Sequence, residues 1–246
     1  MTIKRRLEQA VNSALGPFGF QVRQCLNHNM YGALSMCHKL GLHVETFIDV
    51  GASDGCWTRD AAAVYQESQF LMVEALEERR PALDRLVASD PRRLHYVLAA
   101  AGEAAGETSF YVADDLDGSG TASGSGGDNA ALRKVKVVTV DEELGRRGLK
   151  GPYCLKLDTH GFEVPIMNGA KNTLAAASLV IIEAYNFKLG QHGLLFWELC
   201  VLMDSHGFRV ADLVSPMFRP YDGLFWQCDL FFVRKDWPAF KHVTFA

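Results

Sequence analysis

The chain has 246 residues, a net charge of −4, 48% hydrophobic residues and 22% charged residues, a composition typical of a soluble globular protein. It carries no strongly basic segment and no apolar stretch of roughly eighteen residues, so neither a nucleic-acid partner nor a transmembrane segment is expected. The N-terminus lacks the apolar core of a secretory signal, and we therefore expect a cytoplasmic protein.

Residues 1–43 are predicted to form a helical extension. Apolar residues recur at helical spacing over 2–15, where a Gly-Pro pair ends the pattern, and again over 31–40. The length suits a single domain, in which residues 44–246 would form the catalytic α/β core.

The first strand of this core ends in a glycine-containing turn. An apolar run surrounds Asp49, and Gly51, Ser53 and Gly55 follow before the next predicted helix. In open α/β sheets, ligands bind beyond the carboxyl ends of the strands, where the strand order reverses. We therefore predict that Asp49, Gly51, Ser53 and Gly55 bind a cofactor.

The usual nucleotide fingerprints are missing from this turn. Reading G-x-G-x-x-G from Gly51 puts Ser53 and Cys56 where glycines belong, and no G-x-x-x-x-G-K-[ST] loop occurs. The remaining D-x-G-x-x-x-G turn suits a ligand with a ribose and no pyrophosphate, such as S-adenosylmethionine. Glu74 ends the next apolar run about twenty residues after Gly55, where an acid accepts the ribose hydroxyls. The alternative is that the glycines only shape the turn.

Strands and helices alternate after the turn. The pattern predicts helix over 58–65, strand over 69–74, helix over 78–88 and strand over 94–100. Such βαβ units have right-handed crossovers and build a largely parallel sheet. Ala100, at the end of the third strand, is a further predicted cofactor contact.

An insertion interrupts this alternation. Residues 107–112 and 135–140 both read as extended and predict an inserted strand pair. Between them, the Gly/Ser-rich segment 114–128 has a composition that does not form a packed core. We expect a mobile loop beside the site, with an ordinary surface loop as the alternative.

A second strand and turn carries Lys156, Asp158 and His160, and a helix follows. If this strand lies across the switch point from the first strand, Asp158 faces the same cleft as Asp49. Lys156 and Asp158 share one strand face because side chains alternate with a period of two, so a Lys–carboxylate pair near the floor of the site is expected. A purely structural ion pair is the alternative for Lys156.

The remaining pattern completes the sheet. A strand over 178–183 ends in Glu183, a helix is predicted over 192–206, and strands are predicted over 208–213 and 224–233. The last strand is expected to be antiparallel, as is common in large α/β sheets. Acids therefore end four predicted strands: Asp49, Glu74, Asp158 and Glu183.

The chain resembles the FkbM-family methyltransferases. The D-V-G-A-N-x-G motif of that family corresponds to residues 49–55, and K-I-D-x-x-G-x-E corresponds to residues 156–163. Shorter likenesses lie at 138–141, 168–170 and 227–233. Ser53 replaces a frequent Asn, and His160 replaces a frequent Glu.

The resemblance implies a Rossmann-like, seven-stranded α/β fold, mostly parallel with one antiparallel strand, that uses S-adenosylmethionine. It also implies O-methylation of a hydroxyl on a small-molecule or glycan acceptor, such as a sugar or a glycosylated metabolite. Two other classes stay open: a catalytically silent ligand-binding protein of the same fold, and a nicotinamide-dependent oxidoreductase, which the absent glycines disfavour.

In the implied reaction, an acceptor oxygen attacks the sulfonium methyl group in line, and an alcohol is a poor nucleophile until its proton is moved. His160 is the first candidate for the base, with Asp158 and Lys156 beside it as catalytic candidates. The alternative is a divalent metal such as Mg²⁺, held by oxygen atoms of Asp158, Glu183 and Asn186. We prefer the hypothesis that His160 acts as the base.

Overall fold

The computed structural model describes residues 11–18, 29–114, 116, 118–121 and 131–244. Residues 11–15 are helical, as predicted, and a 3-10 turn follows at Gly16–Phe18. The rest of that predicted helix, before residue 11, lies outside the described residues.

The chain alternates helices and strands, with two further 3-10 turns at Glu77–Arg79 and Pro238–Lys241. The described helices are α1 (Met30–Lys39), α2 (Cys56–Val64), α3 (Arg80–Ser89), α4 (Val140–Arg147), α5 (Glu163–Asn168), α6 (Lys171–Ala176) and α7 (Phe196–Ser205). The described strands are β1 (Thr46–Val50), β2 (Gln69–Glu74), β3 (Leu94–Leu98), β4 (Ala100–Ala101), β5 (Gly106–Val112), β6 (Gly120–Thr121), β7 (Ala131–Val138), β8 (Tyr153–Leu157), β9 (Ala177–Tyr185), β10 (Phe208–Phe218) and β11 (Phe225–Arg234).

Seven strands form the main sheet in the order β10-β11-β9-β8-β1-β2-β3. Strand β11 runs antiparallel to both of its neighbours, and the other pairs are parallel. This confirms the predicted Rossmann-like sheet with one antiparallel strand. The order reverses between β1 and β8, so the first and second motifs end side by side at the switch point.

The central strands are apolar on both faces because helices cover both sides of the sheet. All five residues of β1 are buried. On one face, Leu34 of α1 and Ala61 of α2 pack with Phe47. On the other face, α4 to α7 contribute a second cluster that includes Leu144 and Met203.

The inserted strand pair is confirmed as β5 and β7, which pair antiparallel. It is part of a second, four-stranded sheet in the order β4-β7-β5-β6. The prediction of one strand over 94–100 is wrong in one respect, because the chain changes sheets at Ala99: β3 joins the main sheet and β4 pairs with β7.

The predicted strand over 135–140 also runs two residues too far. Thr139 caps α4, since its hydroxyl accepts the N–H of Glu142 at 3.2 Å, and Val140 already belongs to the helix. Within the described part of the chain, no helix combines the length and the apolar character needed to cross a membrane.

Candidate active site

A cavity of about 450 Å³ opens at the carboxyl ends of β1, β2 and β8, beside the switch point. Its lining includes six of the residues predicted from sequence: Gly51, Ser53, Glu74, Ala100, Asp158 and His160. The other predicted site residues lie outside this lining: Asp49, Gly55, Lys156, Glu183 and Asn186. The two sequence motifs therefore meet at one cavity.

The turn after β1 forms part of the cavity lining. Gly51 has a φ of +77°, and a Cβ there would lie 2.1 Å from the carbonyl oxygen of Asp158, so the ends of β1 and β8 approach closely only with glycine. Gly55 has a φ of +80°, but a Cβ there would meet Leu86 of α3 at 2.4 Å. Gly55 thus serves helix packing and is not brought to the predicted cofactor.

Glu74 lies at the end of β2 and is 7% exposed. One carboxylate oxygen accepts the N–H of Ser53 and the other accepts the N–H of Leu76, both at 2.8 Å. Burial raises the pKa of Glu74, although these N–H groups and Arg79 oppose the rise. Because each carboxylate oxygen has two lone pairs, Glu74 keeps acceptor sites for a ligand in the cavity that it lines.

Below the cavity floor, Asp49 and Lys156 form a buried ion pair. The Lys156 Nζ lies 3.0 Å from Asp49 and 3.2 Å from Asp158, and Thr58 donates its hydroxyl to the second oxygen of Asp49 at 2.8 Å. Burial alone would lower the pKa of Lys156, but the two carboxylates raise it above its ordinary value. Lys156 is therefore protonated at neutral pH and is not available as a base. The expected pairing of Lys156 and Asp158 is present, whereas Asp49 faces the ion pair and not the cofactor cavity.

His160 is held at the cavity wall by a left-handed backbone with a φ of +50°. Its Nδ1 lies 3.4 Å from the carbonyl oxygen of Ser119. A carbonyl oxygen only accepts hydrogen bonds, so this contact requires the proton on Nδ1. The Nε2 atom then lies 3.8 Å from Asp158 and 3.6 Å from Glu183.

Asp158 and Glu183 differ in their ionisation. Burial acts to raise the pKa of Asp158, but Lys156 and His160 outweigh it and hold the pKa below its ordinary value. Burial and the neighbouring Asp158 raise the pKa of Glu183. Two acids whose surroundings push their pKa values apart are typical of acid–base sites.

Glu183 has further polar neighbours on its own strand β9 and on the adjacent strand β11. Gln227 donates its side-chain amide to Glu183, and the Tyr185 hydroxyl donates to the other carboxylate oxygen. Asp229 is the direct cross-strand partner of Glu183, and burial, reinforced by Asp158, raises its pKa to about 6. Asp229 was not predicted as a site residue, because only the antiparallel register of β9 and β11 brings it there.

The structure also contains a candidate set of metal ligands. Donor atoms of Asp158, His160 and Glu183 all lie within 4.8 Å of one another. The predicted set named Asn186 where this cluster has His160, and the side-chain nitrogen of Asn186 donates to the carbonyl of Phe225 at 3.3 Å. One imidazole nitrogen and two carboxylates suit Zn²⁺, Mn²⁺ or Fe²⁺ better than Mg²⁺, which prefers oxygen atoms.

The insertion contributes to the cavity wall. Phe110, Leu116, Ser119 and Gly120 line it, and the Ser119 hydroxyl accepts the N–H of Ala113 at 2.9 Å. Much of the predicted Gly/Ser-rich loop, including residues 122–128, lies outside the described residues. Its described part borders the site, and its mobility stays a prediction.

Three of the solved structures to which the chain is similar are described as methyltransferases. A 1,6-didemethyltoxoflavin-N1-methyltransferase from Burkholderia thailandensis is 15% identical, covering 94% of this chain and 88% of that chain, with a TM-score of 0.44. A SAM dependent methyltransferase from Aquifex aeolicus is 13% identical, covering 90% and 97%, with a TM-score of 0.42. A precorrin-6y C5,15-methyltransferase from Geobacter metallireducens is 12% identical, covering 89% and 95%, with a TM-score of 0.42. No protein of curated function matches the chain.

The family comparison is more specific. A family model described as the methyltransferase FkbM domain matches residues 49–210, which is most of the chain and includes both motifs around the cavity. This match confirms the resemblance drawn from those motifs. The chain belongs to the FkbM methyltransferase domain family and is a methyltransferase.

Proposed function

We propose that the protein transfers a methyl group from S-adenosylmethionine to a hydroxyl oxygen of a small-molecule or glycan acceptor, such as a sugar or a glycosylated metabolite. The observation that carries the proposal is the position of His160, whose ring stands at the wall of the cavity with Nδ1 toward a carbonyl and Nε2 toward two carboxylates. A histidine oriented in this way is suited to accept the proton of an alcohol.

The cavity fits the cofactor on two counts. Gly51 lines it without a side chain, and Glu74, also in the lining, would offer its remaining lone pairs to the two ribose hydroxyls. When bound, S-adenosylmethionine supplies a methyl group already activated by the positive sulfonium. Gly51, Ser53, Glu74 and Ala100 would hold it, while Asp49 and Gly55 would act indirectly by fixing β1 and the turn.

Three residues of the chain would remove the acceptor proton and stabilise the resulting charge. His160 would take the hydroxyl proton at Nε2, and Asp158 would stabilise the imidazolium that results. Lys156 would keep Asp158 ionised and in place. Alignment of acceptor and cofactor supplies much of the acceleration, since well-oriented pairs gain up to roughly 7–11 kcal/mol.

A bound divalent metal is the second candidate, favoured by the cluster of Asp158, His160 and Glu183. The metal would polarise the acceptor hydroxyl as a Lewis acid. The two mechanisms exclude each other at His160, because an Nε2 atom that coordinates a metal has no lone pair left for a proton. A metal requirement would therefore argue against the base.

The proposal is tested by incubating the protein with methyl-labelled S-adenosylmethionine and an extract of small molecules from its source cells. We expect labelled products whose methyl group resists mild alkali, as an ether does, and whose structure is then read by mass spectrometry and NMR. A methyl group released by mild alkali would indicate an ester and contradict a hydroxyl acceptor. Cofactor binding without any transfer would instead favour the catalytically silent alternative. EDTA followed by added Mg²⁺, Mn²⁺ or Zn²⁺ separates the base from the metal.

A further inference from the structure

Glu163 is a buried acid next to the site that the proposed mechanism does not use. It is the first residue of α5 and is 6% exposed. Its Oε1 atom accepts the backbone N–H of Gly161 at 2.9 Å and the hydroxyl of Thr159 at 3.2 Å. These two donors come directly before and directly after His160 in the chain, so one oxygen atom bonds to both of its neighbours.

The segment that Glu163 holds has an unfavourable backbone conformation at His160, whereas Gly161 tolerates a positive φ. His160 has a φ of +50° and Gly161 a φ of +92°. Residues other than glycine adopt this left-handed region only where the surroundings enforce it. A Cβ on Gly161 would also meet the carbonyl oxygen of Leu189 at 2.3 Å, so the segment is confined from that side as well. The bonds to Glu163 are therefore well placed to keep His160 in the observed conformation.

We propose that Glu163 is a positioning residue for His160: by accepting hydrogen bonds from both neighbours of the histidine, it fixes the ring between the Ser119 carbonyl and the two carboxylates. This inference rests on the proposed function, in which His160 is the base. The proposed role depends on the Oε1 atom of Glu163 as a hydrogen-bond acceptor and not on the charge of its carboxylate. Burial raises the pKa of Glu163, and an uncharged side chain with the same oxygen can accept the same two bonds.

The first test reads His160 directly and needs no acceptor. Ring ¹⁵N NMR spectra are recorded for the wild-type protein, Glu163→Gln and Glu163→Ala, with His160→Ala to assign the His160 signals. We expect one dominant tautomer, protonated at Nδ1, in the wild-type protein and in Glu163→Gln. In Glu163→Ala the His160 signals should shift toward an average of the two tautomers, while those of His38, His95 and His206 stay in place. Unchanged His160 signals in a folded Glu163→Ala protein would overturn the proposal.

The second test measures methyl transfer from labelled S-adenosylmethionine into the extract product described above. Glu163→Ala should lower the turnover number by roughly 10²-fold, the cost of a small misplacement of a catalytic group, and Glu163→Gln should recover most of it. In a His160→Ala background, Glu163→Ala should cause no further loss. An equal loss in Glu163→Gln, or an additive loss in the double variant, would contradict positioning through the accepted bonds.

A matched control separates positioning from general destabilisation. Asp141 accepts a backbone N–H and a hydroxyl from Thr173, at 2.9 and 2.6 Å, and does not line the cavity. Asp141→Ala should lower the melting temperature without moving the His160 signals. If Glu163→Ala does not fold, Thr159→Val removes one of the two bonds and should move the same signals by less, and unchanged signals there would likewise overturn the proposal. If His160→Ala keeps full turnover, the proposed base is wrong, and the NMR test still decides whether Glu163 holds the ring.

Discussion

Two groups of charged side chains lie at the switch point, and they differ in how completely they are bonded. In the inner group, the Lys156 and Asp49 side chains are 6% and 1% exposed, they lie 3.0 Å apart, and Thr58 completes the bonding of Asp49. In the outer group, the His160 side chain is 29% exposed and lies 3.6–3.8 Å from Glu183 and Asp158.

The comparison indicates what each group does. A buried charge pair is costly unless its bonds are complete, and the inner group meets that condition, so it holds β1 and β8 together. Groups that take part in proton transfer are often loosely bonded until the reactants bind. His160 is in that state and lines the cavity with Asp158, whereas Glu183 lies outside the lining and accepts bonds from Gln227 and Tyr185. Asp158 belongs to both groups, because it touches Lys156 on one side and lies near His160 on the other.

The largest effect is expected for His160 in the outer group. His160→Ala should lower the turnover number by roughly 10²–10⁴-fold, the usual contribution of a general base. Calorimetry should show little change in S-adenosylmethionine affinity. Full activity of His160→Ala, with no metal requirement, would leave neither mechanism supported and would point to alignment alone.

Substitutions in the inner group should change the stability of the folded protein. Lys156→Met leaves Asp49 buried without its cation and should lower the free energy of unfolding by about 3–5 kcal/mol, measured by urea denaturation. The control is the double variant Lys156→Met with Asp49→Asn, in which Asp49 no longer carries an unpaired buried charge. Much of the loss should be recovered, because Asp158, the other partner of Lys156, is 36% exposed. A single variant as stable as the wild-type protein would remove the distinction between the two groups.

Asp229 extends the outer group, and its effect depends on pH. Its pKa is raised to about 6 in the folded protein, against about 3.9 in an unfolded chain. Between these values the folded state keeps a proton that the unfolded state has released, so this group lowers stability as pH rises from about 4 to 6. The difference corresponds to at most about 3 kcal/mol. Urea denaturation at pH 4 and pH 7 should show this loss in the wild-type protein and a smaller loss in Asp229→Asn. An equal pH dependence in both proteins would contradict the raised pKa.

Glu74 shares a feature with each group, because both of its carboxylate oxygens accept an internal N–H and it also lines the cavity. Glu74→Ala should weaken S-adenosylmethionine binding by at least roughly tenfold, since each hydrogen bond to a charged group contributes about 1.5–3 kcal/mol. Glu78→Ala is the control, because Glu78 pairs with Arg133 at the surface and does not line the cavity. Unchanged calorimetric affinity in a folded Glu74→Ala protein would show that Glu74 serves only the turn.

The succession of most strands and helices, and the acids at the strand ends, could be predicted from local patterns in the chain. Short continuous apolar runs define β1, β2 and β8, and the topology of α/β sheets puts their carboxyl ends at one edge. These local rules were enough to bring Gly51, Glu74, Asp158 and His160 to one cavity. The family motifs gave the methyltransferase assignment, which the family comparison confirmed.

Tertiary structure decided which polar groups face each other. The apolar run over 94–100 does not predict that the chain changes sheets at Ala99, because buried strands of both sheets have the same apolar pattern. The strand period predicted that Lys156 and Asp158 share a face. Only the register of β1 and β8, however, places Lys156 beside Asp49, and neither of these two residues lines the cavity. Likewise, Asp229 meets Glu183 only because β11 returns antiparallel to β9. Contacts between distant segments depend on strand register and burial, and neither can be predicted from local periodicity.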